Sequence, residues 1–243
     1  MLEATGIGKA FGAFRAVDDA GLAVREGEIV GLIGPNGAGK STFFNCLAGD
    51  AQPTAGRIVF AGKDVTRAPA DAHARAGIAR SFQVPVTFED MTVLENVMVG
   101  AFLRQSHRND ARARAREMLE ATGLTRLADT RAGSLGTPGR KRLEIARALA
   151  TEPRLLLLDE ALAGLTPTEV QEAIGLVRSI HARGITLIIV EHIMEVILSL
   201  AERAVVFNQG RVIAEGPPRA VVDDPAVIEA YLGRSMRRRT APP

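Results

Sequence analysis

Two patterns of apolar positions alternate along this chain. One is the short, nearly continuous apolar run bounded by turn residues, which predicts a buried strand. The other is an apolar position recurring every three or four residues, which predicts a helix. The first ~65 residues read as strands and turns. Gly27-Glu28 reads as a turn, and Glu28–Gly34 (E-I-V-G-L-I-G) predicts a strand buried on both faces. A glycine-rich loop and a helix over Lys40–Leu47 follow, then a loop at Gln52–Gly56, a strand at Arg57–Phe60 and a turn at Ala61-Gly62-Lys63. From Pro85 to Ala150 the strand-like runs stop. Thr92–Gly100 and Asp110–Thr122 read as helices. Arg112, Arg114 and Arg116 alternate with alanine, which spreads charge around a helix and reads as a solvated surface. A further helix is expected to open with Thr137 as N-cap and Pro138 as its first residue, and to run through Ala150. Strand character returns at Arg154–Asp159 and at Ile185–Val190. Between them Glu169–Arg183 carries Val170, Ile174 and Val177 on one helical face. Ala204–Asn208 and Arg211–Ala214 flank a turn at Gln209-Gly210 and predict a hairpin. A short helix near Pro225–Leu232 precedes the tail. The expected organisation is one α/β domain over 1–243, with a core from 1–84 and 153–235, a helical insert at 85–152 and a basic tail at 236–243.

Composition narrows the class. A chain of 243 residues is long enough for a buried core, and 47% hydrophobic against 24% charged residues is the balance of a globular protein. A formal charge of only +2 lacks the basic excess of a nucleic-acid binder, and no nucleic-acid partner is expected. The single cysteine, Cys46, rules out an internal disulfide and reads as a small core residue. Met1–Phe14 shows no secretion-signal pattern. The longest apolar runs, Leu155–Leu158 and Ile185–Val190, fall far short of the ~18 residues that a spanning helix needs. Any service to a membrane is expected to run through a partner.

Two segments carry chemistry. Gly34, Pro35, Asn36, Gly37, Ala38, Gly39, Lys40, Ser41 and Thr42 match the phosphate-loop pattern G-x-x-x-x-G-K-[ST], with a strand before and a helix after. Glycines at 34, 37 and 39 let the backbone curl until its N–H groups face a phosphate, and the helix N-terminus adds partial positive charge. Lys40 is expected to reach the β- and γ-phosphates of ATP, and Ser41 to ligate Mg²⁺. In the second segment, Leu155–Glu160 (L-L-L-L-D-E), two carboxylates stand at the C-terminal end of a buried strand, where open α/β sheets bind ligands. Asp159 suits Mg²⁺, and Glu160 suits orienting or deprotonating an attacking water.

With these motifs in order, the chain resembles the nucleotide-binding subunits of ATP-binding-cassette transporters over essentially its whole length. The resemblance implies a P-loop NTPase (RecA-like) α/β core with an N-terminal antiparallel β subdomain and an inserted helical subdomain. It implies that Gln83, in R-S-F-Q, contacts Mg²⁺ or the attacking water. It implies that His192, in I-V-E-H, contacts the γ-phosphate, and that Phe11 stacks on adenine, with Phe14 as a rival and core packing as the plainer role for either. Within the family, F-Q-V-P-V-T-F-E-D-M-T-V-L-E-N-V, L-E-I-A-R-A-L, V-E-H-I-M-E-V-I and D-P-A-V-I-E-A-Y-L-G are most similar to ATPases of branched-chain amino-acid uptake. ATPases for urea and short amides look similar, and those of lipopolysaccharide export less so. Two permease subunits, an extracytoplasmic solute-binding protein and a location on the inner face of the membrane follow as expectations. A regulatory ATPase outside transport, or a cassette that only binds ATP, stand as alternatives.

The sequence departs from the family in two places. Its L-S-G-G-Q signature corresponds here to Leu135, Gly136, Thr137, Pro138 and Gly139, of which only the leucine matches. Pro138 removes a backbone donor where the family has glycine. A heterodimer with a second ATPase subunit that carries a fuller signature is therefore expected. After Glu160 the family commonly has proline, then a loop ending in Asp; here Ala161 follows and the loop ends in Thr166.

Overall fold

The computed structural model describes residues 1–232. The basic Arg237–Arg239 segment and the rest of the expected tail lie outside the described residues. The described residues divide into two compact units, Met1–Ala70 with 188–232, and Asp71–Leu187.

In the first unit, β1 (Leu2–Phe11) and β2 (Phe14–Val24) form a hairpin, and β3 (Ile29–Ile33) leads through a loop into α1 (Lys40–Ala48). β4 (Ala55–Phe60) and β5 (Lys63–Asp64) join β1 and β2 in a four-stranded antiparallel sheet of order β2-β1-β4-β5. Every residue of β3 is buried, as its unbroken apolar run predicts. α1 buries Phe43, Phe44, Cys46 and Leu47, and Phe43 meets the ring of Phe207 at 5.0 Å. Burial pushes the Cys46 thiol up to about 11, so it behaves as the inert core residue its position suggests.

The second unit contains α2 (Ala70–Ala76, which enters it), β6 (Ile78–Arg80), α3 (Val93–Ala101), α4 (Arg108–Ala121), α5 (Thr137–Ala150), β7 (Leu155–Asp159) and α6 (Pro167–His181). β6 pairs in parallel with β7, Ile78 opposite Leu155 through Arg80 opposite Leu157. α2 and β6 are too short to show a period, and nothing in the sequence pattern marks them. α3 starts on a reciprocal cap, in which the Thr92 hydroxyl accepts the Glu95 N–H while the Glu95 carboxylate accepts the Thr92 N–H. Of the α4 arginines, Arg112 and Arg116 are exposed as expected. Arg114 instead folds down to Glu117 at 2.6 Å and Glu152 at 3.7 Å. The expected start of α5 needs correcting. Gly136 is the N-cap, in extended conformation, and Thr137 is already helical with no side-chain cap bond. Pro138 is tolerated one residue deeper than expected because the first-turn N–H groups have no intrahelical acceptor to lose.

The chain returns to the first unit within β8 (Thr186–Val190). α7 (Met194–Leu200), β9 (Arg203–Asn208), β10 (Arg211–Gly216), α8 (Pro218–Val222) and α9 (Pro225–Leu232) follow. β9 pairs in parallel with β3, Val30 opposite Arg203 through Ile33 opposite Val206, and antiparallel with β10 around the expected Gln209-Gly210 turn. Ile33, Ile197, Ala204, Val206, Val221 and Val227 form a common cluster, so α7, α8 and α9 close over the end of β3.

The start of β3 is fixed by charge. Glu28 is 2% exposed, and its carboxylate accepts from Arg203 Nε at 2.8 Å, Arg203 Nη2 at 3.1 Å and the Arg25 N–H at 2.8 Å. Burial pushes this carboxyl up, but the Arg203 guanidinium and the Arg25 N–H outweigh it and hold the group below its ordinary range. Removing one partner strands a buried charge, so Arg203→Met is expected to cost about 3 kcal/mol near neutral pH, read from the urea midpoint. Glu28's folded pKa is depressed, so its contribution is full above the unfolded value and is lost as pH falls through the lower folded value. The gap between wild type and variant is expected to narrow over that acid range. A gap independent of pH would contradict the assignment.

Candidate functional site

The loop between β3 and α1 owes its shape to two close approaches. Gly34 has φ 147°, and a Cβ there would lie 2.2 Å from the carbonyl oxygen of Phe207 on β9. Gly39, the N-cap of α1, has φ 99°, and a Cβ there would lie 2.4 Å from the carbonyl oxygen of Ala16 on β2. No other residue type fits either place. Between them, the Ala38 carbonyl accepts the Gly210 N–H at 2.8 Å, and the Gly210 carbonyl accepts the Asp18 N–H at 2.8 Å. The loop is thus bound to the β9–β10 turn and to β2. The first helical bond runs from Phe43 N–H to Gly39 at 2.9 Å, and the N–H groups before it point out of the helix end. Lys40 is 8% exposed and folds over the loop, donating to the carbonyls of Gly34 at 2.7 Å and Pro35 at 3.0 Å. Asn36, Gly37 and Ser41 are exposed; Pro35 and Thr42 are half-buried.

Four other residues of the first unit bear on the expectations. Phe11 and Phe14 face each other across the end of the β1–β2 hairpin, 56% and 66% exposed. Neither is a core residue, and the Lys9 ammonium lies 5.1 Å from the Phe11 ring centre. His192 is exposed in the turn between β8 and α7. Tyr231, on α9, hydrogen-bonds the main chain of Gly34, and burial pushes its phenol up. The sequence pattern offers it only as part of D-P-A-V-I-E-A-Y-L-G.

In the second unit, β7 is buried throughout and ends at Asp159, 5% exposed. The Asp159 N–H donates to Ser81 Oγ at 3.2 Å, and its carboxylate lies 3.4 Å from Arg80 Nη2. Arg80 also stacks on Phe82, 4.5 Å from the ring centre. Glu160 follows in left-handed conformation, φ 46°, unusual for a non-glycine residue. Gln83 Nε2 donates to Glu160 Oε2 at 2.8 Å. The Glu160 carbonyl accepts from the Ala163 N–H at 3.1 Å and from Lys141 Nζ at 3.0 Å. The structure therefore brings Gln83 and Glu160 together. Arg80, Ser81 and Lys141 join this group without having been singled out by the sequence. R-S-F-Q contains the first two, while Lys141 sits unmarked between two arginines on α5.

Among the described residues no group of three or more His, Cys, Asp or Glu side chains is placed to hold a metal. A Mg²⁺ that arrives with a nucleotide needs only one or two protein oxygens; taken each within its own unit, the Ser41 hydroxyl and the Asp159 carboxylate are hard oxygen donors, Ser41 exposed and Asp159 5% exposed.

The segment Leu135–Gly139 forms the start of α5. Leu135 is buried, Gly136 and Thr137 are exposed, and Pro138 and Gly139 are half-buried. Arg140 braces the turn, donating to the carbonyls of Gly133 at 2.8 Å and Leu135 at 3.0 Å and pairing with Glu89 at 2.7 Å. Thr166, at the end of the loop after Glu160, caps α6. Its hydroxyl accepts the Glu169 N–H, and its own N–H donates to the Glu169 carboxylate at 2.7 Å. These Thr166 bonds hold the Glu169 carboxyl below its usual range.

A buried strand, a loop only glycine can form, a helix N-terminus with a lysine over it, and a second buried strand tipped by Asp-Glu define a P-loop NTPase. Residues 17–163 match the family model described as ABC transporter, and residues 211–236 match that of the branched-chain amino acid ATP-binding cassette transporter. The high-affinity branched-chain amino acid transport ATP-binding protein BraF of Pseudomonas aeruginosa is 39% identical over 97% of this chain and 98% of its own. LivG of Salmonella typhimurium, with the same description, is 38% identical over 97% and 98%. The lipopolysaccharide export system ATP-binding protein LptB of Acidithiobacillus ferridurans is 38% identical over 96% and 97%. The crystal structure of an ABC-transporter cassette in its ADP conformation superimposes with a TM-score of 0.87 at 33% identity, covering 96% of this chain and 99% of that one. The chain belongs to the ABC transporter family as one of its ATP-binding cassettes, ATP hydrolases by class.

Gly136 does not need to be glycine. Its φ is −68°, and a Cβ would meet nothing closer than Pro138 Cδ at 3.9 Å. Gly136→Ser would supply the missing side-chain cap and is expected to stabilise the chain by a few tenths of a kcal/mol, seen as a higher Tm. A lower Tm would show that the segment is held in a conformation other than this one.

Proposed function

We propose that this chain hydrolyses ATP to power an importer of branched-chain amino acids or a related small polar solute such as urea or a short amide. The observation that carries the catalytic half is the left-handed Glu160, hydrogen-bonded to Gln83 and adjoining the buried Asp159. In this reading the loop amides and Lys40 stabilise phosphate charge, Thr42 completes the loop, and Ser41 with Asp159 and Gln83 organises Mg²⁺. Glu160 orients or deprotonates water, His192 clamps the γ-phosphate, and Phe11 stacks on the base. Mg²⁺, if held by these oxygens, would supply positive charge to offset that of the phosphates. Phosphoryl transfer rests on positioning and charge stabilisation, so this set is chemically sufficient.

The solute class is supported by the match over residues 211–236 and by the names of the similar ATPases. The similarity to LptB favours, as a second reading, a lipopolysaccharide export system. Co-purification of a solute-binding protein with the permeases would support import, and permeases that co-purify without one would support export. Either way we place the chain against the inner face of the membrane through two permease subunits. Among the described residues no helix is long and apolar enough to cross a membrane. Phe82, Val84, Val86 and Phe88 nonetheless form an exposed apolar row, the kind of surface that a membrane partner covers.

The signature segment offers no serine, and Pro138 offers no N–H. We infer that the chain pairs with a different ATPase subunit that carries a fuller signature. ATP turnover should be low for the purified chain and should rise when the partner is added. Full cooperative activity as a homodimer would refute the pairing.

Glu160→Gln keeps the shape and the Gln83 neighbour but removes the base. ATP binding is expected to persist while turnover falls by ~10²-fold or more. Normal hydrolysis by that variant would overturn the assignment of Glu160.

A further inference from the structure

We propose that Lys141 is a positioning residue that holds Glu160 in its working conformation. The proposal rests on Glu160 being the group that acts on water.

Glu160 occupies a backbone region that non-glycine residues rarely adopt, and such a residue stays there only when its surroundings over-determine it. Here the constraint is visible. The side chain is held by Gln83 and the carbonyl by two donors, the Ala163 N–H and the Lys141 ammonium. The Ala163 bond belongs to the turn that follows Glu160. The Lys141 bond comes from a separate element, the second turn of α5, and is the one that ties the residue to a helix.

A buried ammonium is not an idle donor. Lys141 is 7% exposed. A charge that has lost water must spend its N–H groups on protein acceptors, and a charge-assisted bond to a carbonyl is stronger than a neutral one. Lys141 lines a small cavity of ≈ 20 Å³ together with Pro138, Ile145, Ala161 and Leu162, so an unbranched apolar side chain of similar length suits its surroundings. Removing the charge while keeping the stem therefore tests the bond rather than the packing.

The sequence places Lys141 two residues beyond Gly139. The helix that opens with the altered signature thus also carries the brace on Glu160. Losing the brace lets the Glu160 backbone relax towards common φ values and shifts its carboxylate. Misplacement of a reacting group by about 1 Å can cost ~10²-fold in rate.

The test measures ATP hydrolysis by the full chain, assembled with the subunits it co-purifies with, for Lys141→Met, Lys141→Arg, Glu160→Gln and the double variant. We expect Lys141→Met to lower kcat by about ten-fold or more with KM for ATP and Tm little changed, a split that marks loss of an interaction made only in the transition state. Lys141→Arg, which keeps a charged donor, should recover part of kcat. In the Glu160→Gln background, Lys141→Met should lower the residual rate no further, because a positioning residue has nothing left to position. If Glu160→Gln is inactive and Lys141→Met retains the wild-type kcat, the brace is refuted while the base stands. If Glu160→Gln is active and Lys141→Met is not, the base assignment fails and with it the claim that Lys141 acts through Glu160. Should Lys141→Met misfold, Lys141→Gln replaces it, and a fall in Tm with kcat unchanged in the folded fraction would count against the proposal.

Discussion

The constraint on which the first unit is organised is steric. A loop whose amides are to face a phosphate must bend where side chains cannot follow. In this chain it bends against two carbonyl oxygens, those of Phe207 and Ala16, at Gly34 and Gly39. Those two contacts only exist if β9 and β2 are themselves fixed. β9 is fixed by its parallel register with β3 and, at the strand start, by the buried Arg203–Glu28 pair. β2 is fixed through the Asp18–Gly210–Ala38 chain of main-chain bonds. Charge at one end of β3 and glycine at the other thus serve one purpose: they hold the loop rigid before any ligand arrives. Preorganised amides lose little on binding, and that is where a phosphate site gains its strength.

Much of this was legible in the sequence because the relevant signals are local. The unbroken run from Ile29 to Ile33 could only be a doubly buried strand, and G-P-N-G-A-G-K-S-T needs no tertiary context to announce its chemistry. The same holds for L-L-L-L-D-E and for the hairpin at Gln209-Gly210. What escaped was either short or long-range. β6 spans three residues and α2 seven, too few to display a period. α7 begins without a side-chain cap and, at seven residues, shows no clear period either. Lys141 belongs to the site only through a bond to a carbonyl nineteen positions away, and Tyr231 only through the fold that returns α9 to Gly34. A lysine between two arginines gives no hint that it alone is buried. The start of α5 lies one residue earlier than the sequence suggests, because threonine before proline looks like a cap while Gly136 provides the extended backbone that ends the preceding turn.

Of the two departures from the family pattern, one has a visible local return and the other has none. Thr166 stands where a carboxylate is common, and it closes a reciprocal cap with Glu169 over a proline at the first helical positions. Such a cap typically contributes about 1 kcal/mol to helix stability. Gly136, by contrast, contributes no side-chain bond to its helix, although serine would fit there without strain. The first substitution exchanges a charge for helix stability; the second forgoes a hydroxyl and gains nothing visible in return.

That asymmetry bears on how the chain works. On the reading proposed above, Lys40, Ser41, Asp159, Glu160 and Gln83 serve the nucleotide that this chain itself binds, and all retain the polar groups that role needs. Leu135–Gly139 and the loop ending at Thr166 serve contacts with another subunit, and both have changed. Drift that merely weakened the enzyme would fall on both sets. On the pairing proposed above, the two changed segments are those that face the other subunit. The brace from Lys141 to Glu160 sharpens the point. The helix that lost its signature still carries an ammonium on the carbonyl of the proposed base, so the part of α5 that faces inward has kept a function that its outward end no longer displays.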